Sequence, residues 1–253
     1  MSGWADAVRL ELRLPSEIRA ALAARSVVYV PLGTYEWHGE HLPIGLDALT
    51  AHGISCHAAM RDGGLVCPSL YYGTGGGHGQ YPWTIMTDGN TLRPLLVQTL
   101  RRFEDFGVET AILLSGHFAG EQLEMMGQLE RDWTAGANGM RVKALAVSMP
   151  SGLSLTPDHA AVFETTLLGA LWPDRVKLDK LPPLATVPSI DPDGSEMGPQ
   201  RHSPDHPLFG IFGPDPRRYD PAVGPTLLDE MVNWLVREVR DASDKPPASS
   251  RTL

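Results

Sequence analysis

The chain has 253 residues, 42% of them hydrophobic and 20% charged. That balance is ordinary for a globular protein, and the length supports one sizeable core without demanding a second domain. The formal charge is −9 and no Lys/Arg cluster stands out, which makes nucleic acid and anionic membranes poor partners. The 26 Gly and 22 Pro point to extended loops rather than disorder, because apolar runs persist between them. Cys56 and Cys67 fall in different expected elements and form no Cys-x-x-Cys pair. They read as reduced thiols of a cytosolic protein. The first residues carry Asp6, Arg9 and Glu11 instead of the apolar core of a signal peptide. No apolar run approaches the length of a membrane span. The expectation is a soluble, cytoplasmic protein.

Short β-branched runs alternate with helical patterns. "SVVYVPL" (26–32) reads as a buried strand. "LDALTAHGISCHAAM" (46–60) has a helical period, with Asp47 where an N-cap would sit. "LVCPSLYY" (65–72) reads as a second strand. Residues 91–106 form an amphipathic helix with Leu95, Leu96, Leu100 and Phe103 on one face, closed by Gly107. "ETAILLS" (109–115) is a third strand, 120–135 a helix and "VKALAVSM" (142–149) a fourth strand. Another helix begins near His159 and ends before Pro173. Residues 182–221 break the rhythm as a Pro-rich arm. Residues 226–242 form a last amphipathic helix, with Thr226 and Asp229 as a near capping box. The tail 243–253 reads as disordered. Strand alternating with helix is the pattern of an α/β fold with a mostly parallel sheet, here a single domain over 1–242.

The unusual polar residues fall where such a fold binds ligands. "PLGTYEWHGEHLPIGLD" (31–47) packs Glu36, His38, Glu40, His41 and Asp47 just past the first strand. His78 follows the second strand and His117 the third. Loops at the carboxyl ends of parallel strands emerge at one edge, so these residues should converge. Glu36 and His38, two apart in an extended segment, face one point. A carboxylate such as Asp47 can bridge two cations with its two oxygens. Mixed His and carboxylate ligands suit zinc, manganese or iron. Each residue also has a plainer role: Asp47 as a cap, His117 bonding a turn, Glu36 and His38 solvated in a loop. His52 and His57 lie within a helix, and His202 and His206 in the arm; none of these four is expected in the site. The joint pattern is the stronger argument.

The first motif resembles that of the creatininase (creatinine amidohydrolase) family, Pro-x-Gly-[Ser/Ala]-x-Glu-x-His-Gly-x-His-Leu-Pro with an Asp shortly after. "GGGHGQYPWT" (75–84) is similar to its Glu-His-x-x-Phe-Pro-Gly-Thr segment. "ILLSGHFAGE" (112–121) is similar to its Val-x-Asn-Gly-His-Gly-Gly-Asn segment, and "DHAAVFETT" (158–166) to its His-Ala-Gly-x-x-Glu-Thr-Ser segment. The resemblance implies a metal-dependent hydrolase with a three-layer α/β/α fold and homo-oligomeric assembly, commonly a hexamer. It implies two divalent ions held by Glu36, His38, Asp47 and His117, with Asp47 bridging. Glu164 is implied as a further ligand or as the base. His159, together with His78, is implied in proton transfer or in holding the developing oxyanion.

The departures bear on substrate. Ser115 replaces Asn, Phe118 adds bulk, Trp83 replaces Gly and Ala161 replaces Gly. Ala119 stands where creatinine-hydrolysing members carry a Glu, and Glu121 lies two residues further on. The metal set is kept and the pocket walls are rebuilt, so creatinine itself is not the expected substrate. The leading expectation is hydrolysis of a C–N bond in a small cyclic amide, formamide or related molecule. A second reading is hydrolytic C–C ring opening of a cyclic ketone such as a keto-inositol, with Ser115, Gln80, Tyr81 and Trp83 as polar partners. A third is a non-catalytic, metal-dependent binding protein, argued from Ala119.

Overall fold

The computed structural model describes residues 3–136, 138–194 and 198–244. Among these residues four strands form one sheet: β1 (Val27–Leu32), β2 (Leu65–Val66), β3 (Thr110–Ser115) and β4 (Arg141–Ala146). Their order is β2-β1-β3-β4 and every pairing is parallel. Among the described residues seven α-helices accompany them: α1 (Pro15–Ala24), α2 (Leu46–Asp62), α3 (Gly89–Asp105), α4 (Gly120–Ala135), α5 (Val162–Leu171), the one-turn α6 (Pro199–His202) and α7 (Gly224–Asp244).

β1 and β3 carry no polar face because both of their faces are covered. Side chains alternate across a strand. Val27, Tyr29, Ile112 and Leu114 therefore face α2, α5 and α7, in a cluster with Ile54, Phe163, Leu167, Met231 and Leu235. Val28, Val30, Leu32, Ala111 and Leu113 face the other way, onto Leu92, Leu96 and Leu100 of α3 and Met126, Leu129 and Trp133 of α4. The result is the three-layer α/β/α arrangement of a parallel sheet. Among the described residues no helix is long and apolar enough to cross a membrane.

Several boundaries differ from the sequence reading. The second strand stops at Val66 instead of running to residue 72. Pro68 has no N–H to give the ladder. Contact with β1 resumes only where the Leu70 N–H bonds Pro31 O at 3.1 Å. Asp47 is not a cap: Gly45 holds the N-cap position of α2, and Asp47 lies buried inside the first turn. The helix near His159 begins at Val162. The last helix begins at Gly224, directly after a 3-10 turn, so Thr226 lies within it. That helix extends to Asp244; the rest of the expected tail, 245–253, lies outside the described residues.

The Pro-rich arm also differs. Its Pro-, Asp- and Gly-rich composition suggests no core role within one subunit. Instead its Leu208 and Ile211 pack with Leu42, Leu46, Ala160, Ala161, Leu168 and Leu181 in a third apolar cluster. Phe212 and His159 exchange backbone hydrogen bonds of 3.1 and 3.2 Å. The arm is thus fastened to the strand-end loops of its own chain.

Trp83 has φ +60° and is 83% exposed. The left-handed region costs a non-glycine residue about 1–2 kcal/mol, which accounts for glycine at this place in the family pattern. Trp83→Gly returns that strain and adds chain entropy of about 0.5–1 kcal/mol to the unfolded state. The expected melting temperature is unchanged or raised by a few degrees. A fall of more than about 5 °C in a thermal melt would show instead that the indole packs on something that matters.

Candidate metal centre

The parallel register brings the carboxyl ends of β1 and β3 together, with Leu32 beside Ser115. The segments that leave these ends, the first turn of α2 and the first turn of α5 supply one buried cluster. Glu36, His38, Asp47, His117, His159 and Glu164 are all buried in it. Residues up to 128 positions apart therefore meet, as the strand-end argument requires.

Asp47 sits at the centre. Its Oδ1 lies 3.1 Å from His38 Nε2 and its Oδ2 lies 3.4 Å from His117 Nδ1. Glu164 Oε2 is 3.4 Å from His38 Nε2, and Glu36 Oε2 is 2.8 Å from His117 Nδ1. Two three-residue groups with closely spaced ligand atoms result: Glu36, Asp47, His117 and His38, Asp47, Glu164. Asp47 belongs to both, one oxygen to each histidine. A further close group joins Glu36, His38 and His159.

Backbone carbonyls orient the two histidines. His38 Nδ1 lies 2.9 Å from Glu36 O, and His117 Nε2 lies 3.1 Å from Thr74 O. With those nitrogens protonated and a cation bound, His38 Nε2 and His117 Nδ1 would serve as lone-pair donors aimed at the carboxylates. Two lone pairs facing each other repel unless a cation lies between them. His38 Nε2 and Asp47 Oδ2 are buried without an aligned hydrogen bond, a costly state for an isolated polar atom.

Charge tells the same story. Burial alone would lower both histidines, but facing carboxylates override it. Glu164 and Asp47 raise His38 to about 10, and Asp47 and Glu36 raise His117 to about 10. Burial raises Glu164 well above the usual carboxylate range, with Asp47 and Asp158 adding to the effect. Burial opposes ionisation of Glu36 too, yet hydrogen bonds from His117 and His78 hold it well below its ordinary value. Three crowded carboxylates thus call for added positive charge. Oxygen and imidazole donors in this proportion fit a divalent transition metal.

The surrounding residues fix the cluster. His78 Nδ1 makes a short bond to Glu36 Oε1, and its ring stacks on Tyr81 at 4.8 Å. His159 Nε2 is 3.1 Å from Trp37 O, and its ring stacks on Phe212 at 4.5 Å. Burial pushes His159 down to about 3, so it is neutral. The Ala160 N–H donates to Glu164 Oε2 at 2.6 Å from a residue at φ +55°. Ala161, where the family pattern has Gly, sits at an unstrained φ of −106°. Asp158 accepts from the Phe163 and Glu164 N–H groups and so ties down the start of α5.

Glu121 is exposed and accepts from the Gly76 N–H at 3.1 Å; it joins none of the close groups. The polar partners expected for a polyol are engaged elsewhere. Ser115 Oγ is buried and bonds His117 O, Tyr81 OH bonds Arg201 O at 2.6 Å, and Gln80 is exposed. A cavity of about 240 Å³ opens on the cluster, lined also by Phe118, Ala119, Arg201 and Phe212. The sequence reading missed Asp158, Arg201 and Phe212. An Asp four residues before a helix start was a usable signal for the first. The two arm residues carry no local signal.

Fold and site together are those of a metal-dependent, amidohydrolase-like enzyme. Comparison with known proteins agrees. The model of the creatininase family, described as creatinine amidohydrolase, matches residues 14–239, and the chain belongs to that family. Creatinine amidohydrolase of Pseudomonas putida is 31% identical over 199 residues, covering 69% of this chain and 76% of its own. A mycofactocin precursor peptide peptidase of Mycolicibacterium smegmatis is 27% identical over 224 residues, covering 85% and 84%. Among solved structures, a mutant creatininase of the Zn-Zn type is similar with a TM-score of 0.73 at 25% identity, over 94% of this chain and 99% of its own. A manganese creatininase gives 0.71 at 26%, over 94% and 99%.

Proposed function

We propose that this creatininase-family amidohydrolase binds two divalent ions and hydrolyses the C–N bond of a small amide other than creatinine. The observation that carries the reading is Asp47, whose two oxygens each face a separate three-residue group. One ion is assigned to Glu36, Asp47 and His117, the other to His38, Asp47 and Glu164. Zinc and manganese are the favoured metals, since relatives are solved with each. The amide is favoured because both named relatives act on amide bonds, in creatinine and in a precursor peptide. Departure from creatinine is argued from Ala119, which offers no carboxylate, and from the bulk of Phe118 and Phe212 around the cavity.

When bound, such a pair of ions supplies a nucleophile from water at neutral pH and polarises the scissile carbonyl. The chain's own groups do the rest. Glu36, Asp47 and Glu164 offset the ionic charge, while His38 and His117 present fixed lone pairs. His159, kept neutral by burial, takes a proton at Nδ1 during attack and returns it to the leaving nitrogen. His78 grips Glu36 Oε1 and so keeps Oε2 toward His117; lining the cavity, it also reaches the developing oxyanion. Phe118 and Phe212 exclude bulk water from the cavity.

Glu164 supports catalysis over mere binding, because it gives the second group a third ligand despite Ala119. Metal content by plasma mass spectrometry tests this. Glu164→Gln is expected to lower the content from about two ions per chain to about one, with a matching loss of amide hydrolysis. Glu121→Ala is expected to leave the ion content unchanged. The assignment is wrong if Glu121→Ala loses an ion and Glu164→Gln does not.

A further inference from the structure

We propose that Arg201 is the recognition group for a free carboxylate on the substrate, so that the enzyme prefers acidic amides such as N-acyl amino acids. The inference deepens the amide-hydrolase reading and rests on it. Beside the cavity over the cluster lies a second one of about 470 Å³. Phe118, His159, Arg201 and Phe212 line both. Arg201 is the only arginine or lysine lining either cavity, among the described residues. A substrate held at the cluster therefore has one fixed cation within reach of its remaining atoms.

The guanidinium is held rather than loose. Its carbon lies 3.9 Å from the centroid of the Phe212 ring, and Nη1 donates to Gly194 O at 3.1 Å. Its backbone carbonyl accepts the Tyr81 hydroxyl, and the Tyr81 ring stacks on His78. The arm is thereby tied to the loop that grips Glu36. Stacking occupies the flat face of the guanidinium, and the Gly194 bond uses one of its five N–H groups. Among the described residues it makes no ion pair, although the chain carries a net charge of −9. A planar fork with donors to spare matches a carboxylate. The three carboxylates of the nearby cluster favour a singly charged group over a phosphate dianion. Amide and carboxylate then belong to one small molecule, because both recognition groups line a single cavity of about 240 Å³.

Titration calorimetry of the zinc-loaded protein with N-acetylglycine and its neutral amide, N-acetylglycinamide, tests the assignment without needing turnover. The acid is expected to bind the natural protein about tenfold or more tightly than the amide. In Arg201→Gln the preference is expected to vanish while zinc content stays the same. Arg201→Lys keeps the charge but not the fork, retains part of the preference, and decides the matter should the Gln variant unfold. A preference that survives in both variants means that zinc alone holds the carboxylate and overturns the proposal. Equal affinities, or no binding of either compound to the natural protein, overturn it too. Failure of the amide-hydrolase reading shows separately, as wrong ion counts or absence of turnover.

Discussion

Asp47→Ala is expected to abolish the metal pair and lower amide hydrolysis by roughly 10³-fold or more, about 4 kcal/mol at 1.36 kcal/mol per tenfold. The size follows from the shared geometry. Of the two proposed ion sites the other ligands serve one each, but Asp47 offers Oδ1 to His38 and Oδ2 to His117. Its removal takes one donor oxygen from each proposed site at once, together with the negative charge the two sites share. It also leaves His38 Nε2 facing only Glu164 and His117 Nδ1 facing only Glu36 at close range. Binding linkage gives a readout independent of substrate. An ion at a hundredfold excess over its dissociation constant stabilises a fold by about 2.7 kcal/mol, roughly 5–11 °C of melting temperature in a chain near this size. Zinc should raise the melting temperature of the natural protein by about that much and of the variant hardly at all. A variant that keeps two ions and the full thermal increment contradicts the bridging role.

Much of this site could be read before any coordinates, for a physical reason. In a parallel sheet, strand order does not matter to which edge the following loops leave from, so His38 and His117 converge once their strands are recognised. The strands were recognisable because both faces are buried, which makes "VVYV" and "AILL" continuous apolar runs. What stayed hidden depended on direction rather than on sequence position. Glu121 lies closer in sequence to His117 than Glu164 does, yet the start of α4 aims it at the Gly76 N–H. The first turn of α5 aims Glu164 at His38. Asp47 looked like a cap because acidic residues favour helix starts, and only burial separates the two roles. The Pro and Gly content of the arm carries no sign that it docks on its own chain. Its anchors, Leu208, Ile211 and Phe212, are too few and too irregularly spaced to show a period. Arg201 has no motif at all and enters the site only because those anchors dock.

Gly116→Ala should be the most damaging of the Gly→Ala changes among the described residues, and Gly33→Ala nearly its equal. A Cβ on Gly116 would lie 2.0 Å from the backbone oxygen of Asp47 and 2.6 Å from its carbonyl carbon. A Cβ on Gly33 would lie 2.1 Å from the backbone nitrogen of Ala48. Ordinary contact needs about 3.5 Å or more, and the atoms in the way are main chain, which cannot swing aside as a side chain can. The first turn of α2 must therefore move off the ends of β1 and β3. That turn is buried, carries Leu46 into the apolar cluster with the arm, and carries Asp47 into the metal cluster. Overpacking of this kind costs about 3 kcal/mol or more, an expected loss of roughly 6–12 °C in melting temperature. Metal content should fall as well, since a shift of about 1 Å at Asp47 separates its oxygens from both histidines. The control is a residue of equal size change on the same protein: Gly120→Ala, whose Cβ would meet nothing within 4 Å. It is expected to hold the melting temperature within a degree or two and to keep both ions. If Gly116→Ala behaves like Gly120→Ala, then the first turn of α2 is not braced by the strand ends. The two motif glycines would then need an explanation other than close backbone approach.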